Sequence, residues 1–118
     1  MTWIYIYASE LQTDFSCLSE FITLWCFDGG VINITDAFYG LYDIECPVGE
    51  CCMPNQVDDC RVAVEDNRFS DWVGLKASCD NRTSCNYEYL GSVVDECETN
   101  QVAEYLQVYY TCGTGYMI

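Results

Sequence analysis

Apolar and polar positions alternate most cleanly near the end of the chain. Over residues 105–112, Leu106, Val108, Tyr110 and Cys112 take one face, and Tyr105, Gln107, Tyr109 and Thr111 take the other. A period of two is the pattern of a strand with one side in a core. Residues 21–26 repeat it, with Ile22, Leu24 and Cys26 sharing a face. Each strand ends its apolar face in a cysteine, which makes the two natural partners in one core.

Residues 3–7, Trp-Ile-Tyr-Ile-Tyr, are β-branched and aromatic throughout, so a strand apolar on both faces is expected there. Residues 9–17 read as a second extended piece. Asp28-Gly29-Gly30 makes a turn into a strand over 31–38, where Val31 or Ile32, Ile34 and Ala37 supply the apolar positions. Residues 39–56 carry Gly40, Pro47, Gly49 and Pro54 and read as a long surface loop holding Cys46, Cys51 and Cys52. Residues 61–64 suit a short strand or a turn. Ser70 is a good N-cap and Asp71 suits a first helical turn. Trp72, Leu75 and Cys79 follow at i, i+3 and i+7, so a short helix is predicted over 71–78. Gly74 weakens it by about 1 kcal/mol. A strand over 86–90 completes the set. The fold class is therefore mainly β with one short helix (α+β), a compact antiparallel β-sandwich.

Composition adds the staples. Ten cysteines in 118 residues read as a disulfide framework from an oxidising compartment. Zinc is the competing reading; the chain has no histidine and no paired C-x2-C knuckles, so no metal and no other cofactor is expected. Nineteen acidic and four basic residues give a formal charge of −15. That excludes nucleic acid as a partner, because phosphates require a basic surface. It disfavours anionic membranes too, and no apolar run approaches the roughly 18 residues of a membrane span. The opening MTWIYIYASE lacks a basic flank and is expected to be part of the fold rather than a leader.

Taken together, residues 9–112 resemble the sea-urchin-egg-lectin type of domain. This is the rhamnose- or galactose-binding lectin domain, also found at the extracellular end of latrophilin-type receptors. The resemblance rests on motifs in the family's order. They are Phe15-Ser16-Cys17, then Cys26 leading to Asp36-Ala37-Phe38-Tyr39-Gly40, then Cys79-Asp80-Asn81-Arg82-Thr83-Ser84-Cys85. The closing motif is Asp95-Glu96-Cys97 followed by Tyr105-Leu106-Gln107-Val108-Tyr109-Tyr110-Thr111-Cys112. Residues 1–8 form an extra strand and 113–118 a tail outside it. The resemblance implies disulfides Cys17–Cys46, Cys26–Cys112, Cys60–Cys97 and Cys79–Cys85. Cys51 and Cys52 have no counterpart in it, and either bond each other in a strained vicinal bridge or reach another chain. Four to five disulfides are thus expected.

The family's sugar site is largely rewritten. The glutamate that follows the first cysteine is Leu18 here, with Glu20 close by; the arginine of Y-G-R is Leu41; the lysine of G-T-x-K-Y-L aligns with Glu104. Residues 98–104 form a longer loop without its glycine. Tyr39, Gly40 and Asp95 remain, so the sugar-site equivalents are Glu20, Tyr39, Gly40, Asp95 and Glu104. Each donor lost from such a site costs on the order of 1–3 kcal/mol.

No enzyme is expected: histidine, G-x-S-x-G and the P-loop are absent, and Asp58-Asp59 and Asp95-Glu96 read as solvated turn acids. Two functions remain. One is a structural or protein-interaction module of an extracellular assembly, built with another extracellular protein or with like subunits, for which the apolar strand 3–7 and the Tyr116-Met117-Ile118 tail suit strand addition. The other is a lectin of shifted specificity, with Glu20 and loop 98–104 forming a new acidic site, calcium-assisted, for glycans. Asn33-Ile34-Thr35 and Asn81-Arg82-Thr83 are N-glycosylation sequons.

Overall fold

A computed structural model of the chain describes residues 3–6, 10–27, 29–47, 50–64, 69–94, 96–97 and 101–117, with 3–6 and 114–117 as backbone alone. The elements in order are β1 (Trp3–Ile6), β2 (Gln12–Cys17), β3 (Phe21–Trp25), β4 (Val31–Leu41), β5 (Cys60–Ala63), α1 (Ser70–Cys79), β6 (Ser84–Glu88), β7 (Val93–Val94), β8 (Gln101–Val102) and β9 (Tyr105–Met117). Every described strand pair is antiparallel.

The alternating stretch at the end is the centre of the main sheet. One edge of β9 bonds β4 from Val31↔Gly113 to Gly40↔Tyr105, with a bulge between Ile34 and Asp36. Its other edge bonds β2 from Gln12↔Tyr110 to Cys17↔Tyr105, and then β1 from Ile6↔Thr114 to Trp3↔Met117. β5 closes the far side against residues 38–41 of β4. Thirteen residues of strand span roughly 43 Å, most of the long axis of a molecule measuring 52 × 26 × 24 Å. Because β1 pairs with its own β9, the strand-exchange form of the assembly expectation does not hold for residues 3–6.

β3 pairs with β6 in a separate two-stranded sheet, not with β9. Its apolar face still reaches the core expected for it: Ile22, Leu24 and Cys26 pack in one cluster with Ile32, Ile34 and Tyr39 of β4 and Leu106, Val108 and Tyr110 of β9. Two strands can share a core by facing each other across it as well as by pairing. Leu75 and Cys79 of α1 and Tyr89 fill the same layer.

Several local expectations move. β4 runs on to Leu41 because β5 gives residues 38–41 a ladder, so the long loop starts at Tyr42. The helix starts one residue early, with Phe69 in extended conformation at the N-cap position and no side-chain cap, so Ser70 is its first residue. Gly74 is required rather than merely tolerated: a Cβ there would lie 2.8 Å from the Tyr87 ring. Trp72 stays half-buried under Lys76, whose Nζ sits 5.1 Å from the ring centroid and 2.8 Å from Asp80.

Five disulfides staple these layers: Cys17–Cys51, Cys26–Cys112, Cys46–Cys52, Cys60–Cys97 and Cys79–Cys85. The Cys17–Cys46 pairing implied by the lectin resemblance is replaced, and neither a Cys51–Cys52 bridge nor an interchain role is needed. The loop doubles back, so that Cys46 meets Cys52 six residues on. The adjacent Cys51 then points the other way, onto the end of β2. Tyr42 holds this arrangement, with its hydroxyl donating to Cys52 O at 2.5 Å and lying 3.3 Å from Cys17 Sγ. Cys26–Cys112 closes a separation of 86 residues, worth about 4.6 kcal/mol in the chain-entropy treatment, against about 2.2 for the six-residue Cys46–Cys52 ring. Replacing both Cys26 and Cys112 by serine should therefore lower urea-unfolding stability by about 4 kcal/mol or more. The Cys46→Ser/Cys52→Ser pair should lose about half of that. Equal losses would show that loop length does not govern the staples.

Candidate functional site

The long loop and the turn after β2 meet over the end of the main sheet. Residues 17–20 make a tight turn: Glu20 N–H donates to Cys17 O at 3.1 Å, Ser19 takes φ 66°, and Glu20 Oε1 accepts from Cys17 N–H at 3.1 Å. On the opposite wall, Glu104 N–H donates to Gly40 O at 2.9 Å, and its Oε1 accepts from Tyr42 N–H at 2.9 Å. Between these walls lies a cleft of about 380 Å³, lined by Glu20, Glu50 and Glu104, by Tyr42 and by the Cys17–Cys51 disulfide. A second cleft of about 280 Å³ shares Glu104 and Tyr42 and adds Asp43 and Asp58. Among the described residues, neither cleft has a lysine or arginine in its lining. The field of these acids is visible at Tyr42, whose hydroxyl is pushed up to about 12 by burial first and then by the charges of Glu104, Asp59 and Glu20.

Of the sugar-site equivalents, the structure brings Glu20 and Glu104 together and separates the rest. Tyr39 is buried, and its hydroxyl donates to Asp71 Oδ2 at 2.5 Å, away from the cleft. Gly40 lies under the Tyr105 ring, where a Cβ would come within 1.9 Å of the ring carbon Cζ. Asp95 falls outside the described residues, as do residues 98–100 of the rebuilt loop. The calcium expectation gains no donor set. Among the described residues the close group of possible metal donors is Cys17, Glu20 and Cys51, and its two sulfurs are bonded to each other.

Two acids are buried: Asp59, which the sequence reads as a solvated turn acid, and Asp71, which it reads only as a first-turn helix residue. Asp59 accepts from Asp43 N–H at 2.9 Å, Asn55 N–H at 2.7 Å and Tyr105 O–H at 2.8 Å, whereas its neighbour Asp58 is exposed. Asp71 accepts from the hydroxyls of Tyr39, Tyr87 and Ser92. Three donors are what a carboxylate needs when it leaves water. Both sites act as clamps: Asp59 ties the long loop to β9, and Asp71 ties α1 to β4, β6 and the segment before β7. Sequence reasoning could not place them, because the tyrosine donors lie 16 to 46 residues away.

The two sequons also come together. Asn81 N–H donates to Ile32 O at 2.9 Å and Ile32 N–H to Arg82 O at 2.8 Å, so the Cys79–Cys85 loop runs beside β4 next to Asn33. Asn81 is exposed at φ 63° and Asn33 is half-buried.

No protein-family model matches the chain, and no curated protein is significantly similar to it.

Gly40→Ala should cost about 3 kcal/mol, at the upper end of overpacking, because the Tyr105 ring is buried and its hydroxyl is held by Asp59. A thermal melt by circular dichroism reads this, and a wild-type midpoint would contradict the contact. Burial also raises the hydroxyls of Tyr39, Tyr87, Tyr105 and Tyr110, and raises Tyr89 to about 12. Groups raised above an unfolded value of about 10 add stability that is complete below pH 10 and is lost as pH rises through 12. The urea midpoint should stay level from pH 7 to 9 and fall beyond pH 10. An unchanged midpoint at pH 12 would refute these burials.

Proposed function

We propose that the chain is an extracellular, non-catalytic protein-interaction module. It keeps a rhamnose/galactose-lectin-like frame and uses the position of the sugar site to hold a basic segment of a partner protein. The observation that carries this reading is the chemistry of the paired clefts. Among the described residues their charged groups are Glu20, Glu50, Glu104, Asp43 and Asp58, with no cation in the lining. A neutral sugar needs donors and acceptors converging on its hydroxyls. A site of carboxylates offers acceptors and negative potential, which suits lysine or arginine side chains.

Charge also decides between partners. Two copies of this chain, each at −15 with four basic residues, repel one another and have few cations to offer. A basic extracellular protein is steered towards the clefts instead. Five disulfides support the extracellular setting, and no helix among the described residues is long and apolar enough to cross a membrane.

The test uses a nona-arginine peptide in low and physiological salt. The double variant Glu20→Gln/Glu104→Gln should bind about tenfold more weakly than wild type, with the loss shrinking as salt rises. Glu10→Gln/Glu88→Gln, which removes the same charge elsewhere, should change binding less than threefold. Equal losses in the two variants would reduce the binding to net charge and sink the reading.

A further inference from the structure

The outer face of the main sheet carries a second site of different chemistry. A cleft of about 510 Å³ opens there, lined by Leu11, Asp36, Phe38, Gln56, Arg61 and Tyr109. Arg61 has its guanidinium 4.5 Å over the Phe38 ring and 6.0 Å from the Tyr109 ring centroid. Phe38 and Tyr109 meet edge to face at 5.9 Å. The Tyr109 hydroxyl accepts from Gln56 Nε2 at 2.6 Å and from Arg61 NH2 at 3.4 Å. The side chains are thus fixed before any ligand arrives, by a cation–π contact and two hydrogen bonds. Among the described residues Arg61 has no carboxylate within ion-pair distance, in a chain of charge −15. Aromatic contact has taken the place of the usual acidic neighbour.

This composition differs from the acidic clefts in the respect that matters for recognition. It combines donors (Arg61, Gln56), an acceptor (Asp36) and an apolar aromatic wall. A pyranose ring presents the complement: hydroxyls that donate and accept around its rim, and a face of C–H groups that lies against an aromatic ring. Asp36 and the overall negative charge disfavour anionic ligands at the same place. We propose that this cleft is a seat for one pyranose ring of a neutral glycan.

A second, independent observation points to the same chemistry. Ile32, Ile34, Ala37 and Tyr39 are buried along β4. Across the bulge between Ile34 and Asp36, therefore, Asn33, Asp36 and Phe38 share the outer face. Asn33 is opposite Thr111 and Asp36 is opposite Tyr109, a spacing of roughly 7 Å along β9. A sugar attached to the Asn33 sequon begins within about one ring's length of the cleft. The ring therefore has two possible sources, the chain's own Asn33 glycan or a free or foreign glycan, and both present the same chemistry.

The experiment separates them. For the free source, the Asn33→Gln protein is titrated with N-acetylglucosamine, galactose and rhamnose and followed by amide NMR. Shifts confined to Phe38, Gln56, Arg61 and Tyr109, with binding about tenfold weaker in Arg61→Ala, support the proposal. For the attached source, wild-type protein secreted from a glycosylating host is treated natively with an endoglycosidase, and site occupancy is read by mass. An Asn33 glycan released several-fold more slowly than the Asn81 glycan, and released as fast as it in Arg61→Ala, also supports it. A circular-dichroism melt at the wild-type midpoint shows that the variant is folded. Gln56→Ala supplies a second variant, which leaves Arg61 on Phe38. No shift with any of the sugars, together with an Asn33 site that is empty or is released at the same rate in every variant, overturns the proposal.

Discussion

Both edges of one strand are occupied, and the rest of the molecule hangs from that fact. β9 gives one edge to β4 and divides the other between β2 and β1. A strand hydrogen-bonded on both sides cannot slip by one residue without turning its core face to solvent. The register of β9 therefore sets where Tyr105 meets Gly40, where Tyr109 meets Asp36 and where Cys112 meets Ile32. The acidic clefts stand over the Tyr105 end of this strand and the aromatic cleft lies on its middle. Neither could move relative to the other without breaking the ladder.

The side chains that lock the loops to this frame are acids and tyrosines. A small domain with long loops has little apolar area to hold them. Asp59 and Asp71 supply the missing constraints by collecting hydrogen bonds from separate elements. Removing one donor from such a cluster leaves a buried carboxylate short of a partner, which is more costly than the bond is worth in isolation. Acidity thus has two roles among the described residues: Glu20, Glu50, Glu104, Asp43 and Asp58 line clefts, while Asp59 and Asp71 are buried fasteners.

What was legible in the sequence follows from range. The alternation at 105–112 and 21–26 is local, and it placed the buried faces of β9 and β3 and the cysteines that join them. It could not say that β3 pairs with β6, because two apolar faces in one core look the same whether they are paired or opposed. The helix was legible from the spacing of Trp72, Leu75 and Cys79, but its start was set by Phe69 rather than by a capping serine. At the site, Glu20 and Glu104 could be named as neighbours only through the lectin resemblance. Glu50 and Tyr42 could not be named, since the path of the loop depends on which of three nearby cysteines meets Cys17. Arg61 carried a faint local signal, as one of four cations; its partners, 23 and 48 residues away, did not.

That choice among Cys46, Cys51 and Cys52 has a consequence for how the protein is made. Two of the five bridges close over six residues and can form while the chain is still extended, since short loops meet fastest. The Cys26–Cys112 bridge must wait until the last strand has been delivered. Cys17, by contrast, finds three thiols within seven residues of one another, and only one of them suits the finished loop. Errors of oxidation are concentrated at this point, and because Cys51 and Cys52 are adjacent, a mispaired form differs from the correct one by a shift of a single residue. Correct pairing therefore depends on thiol exchange at one place.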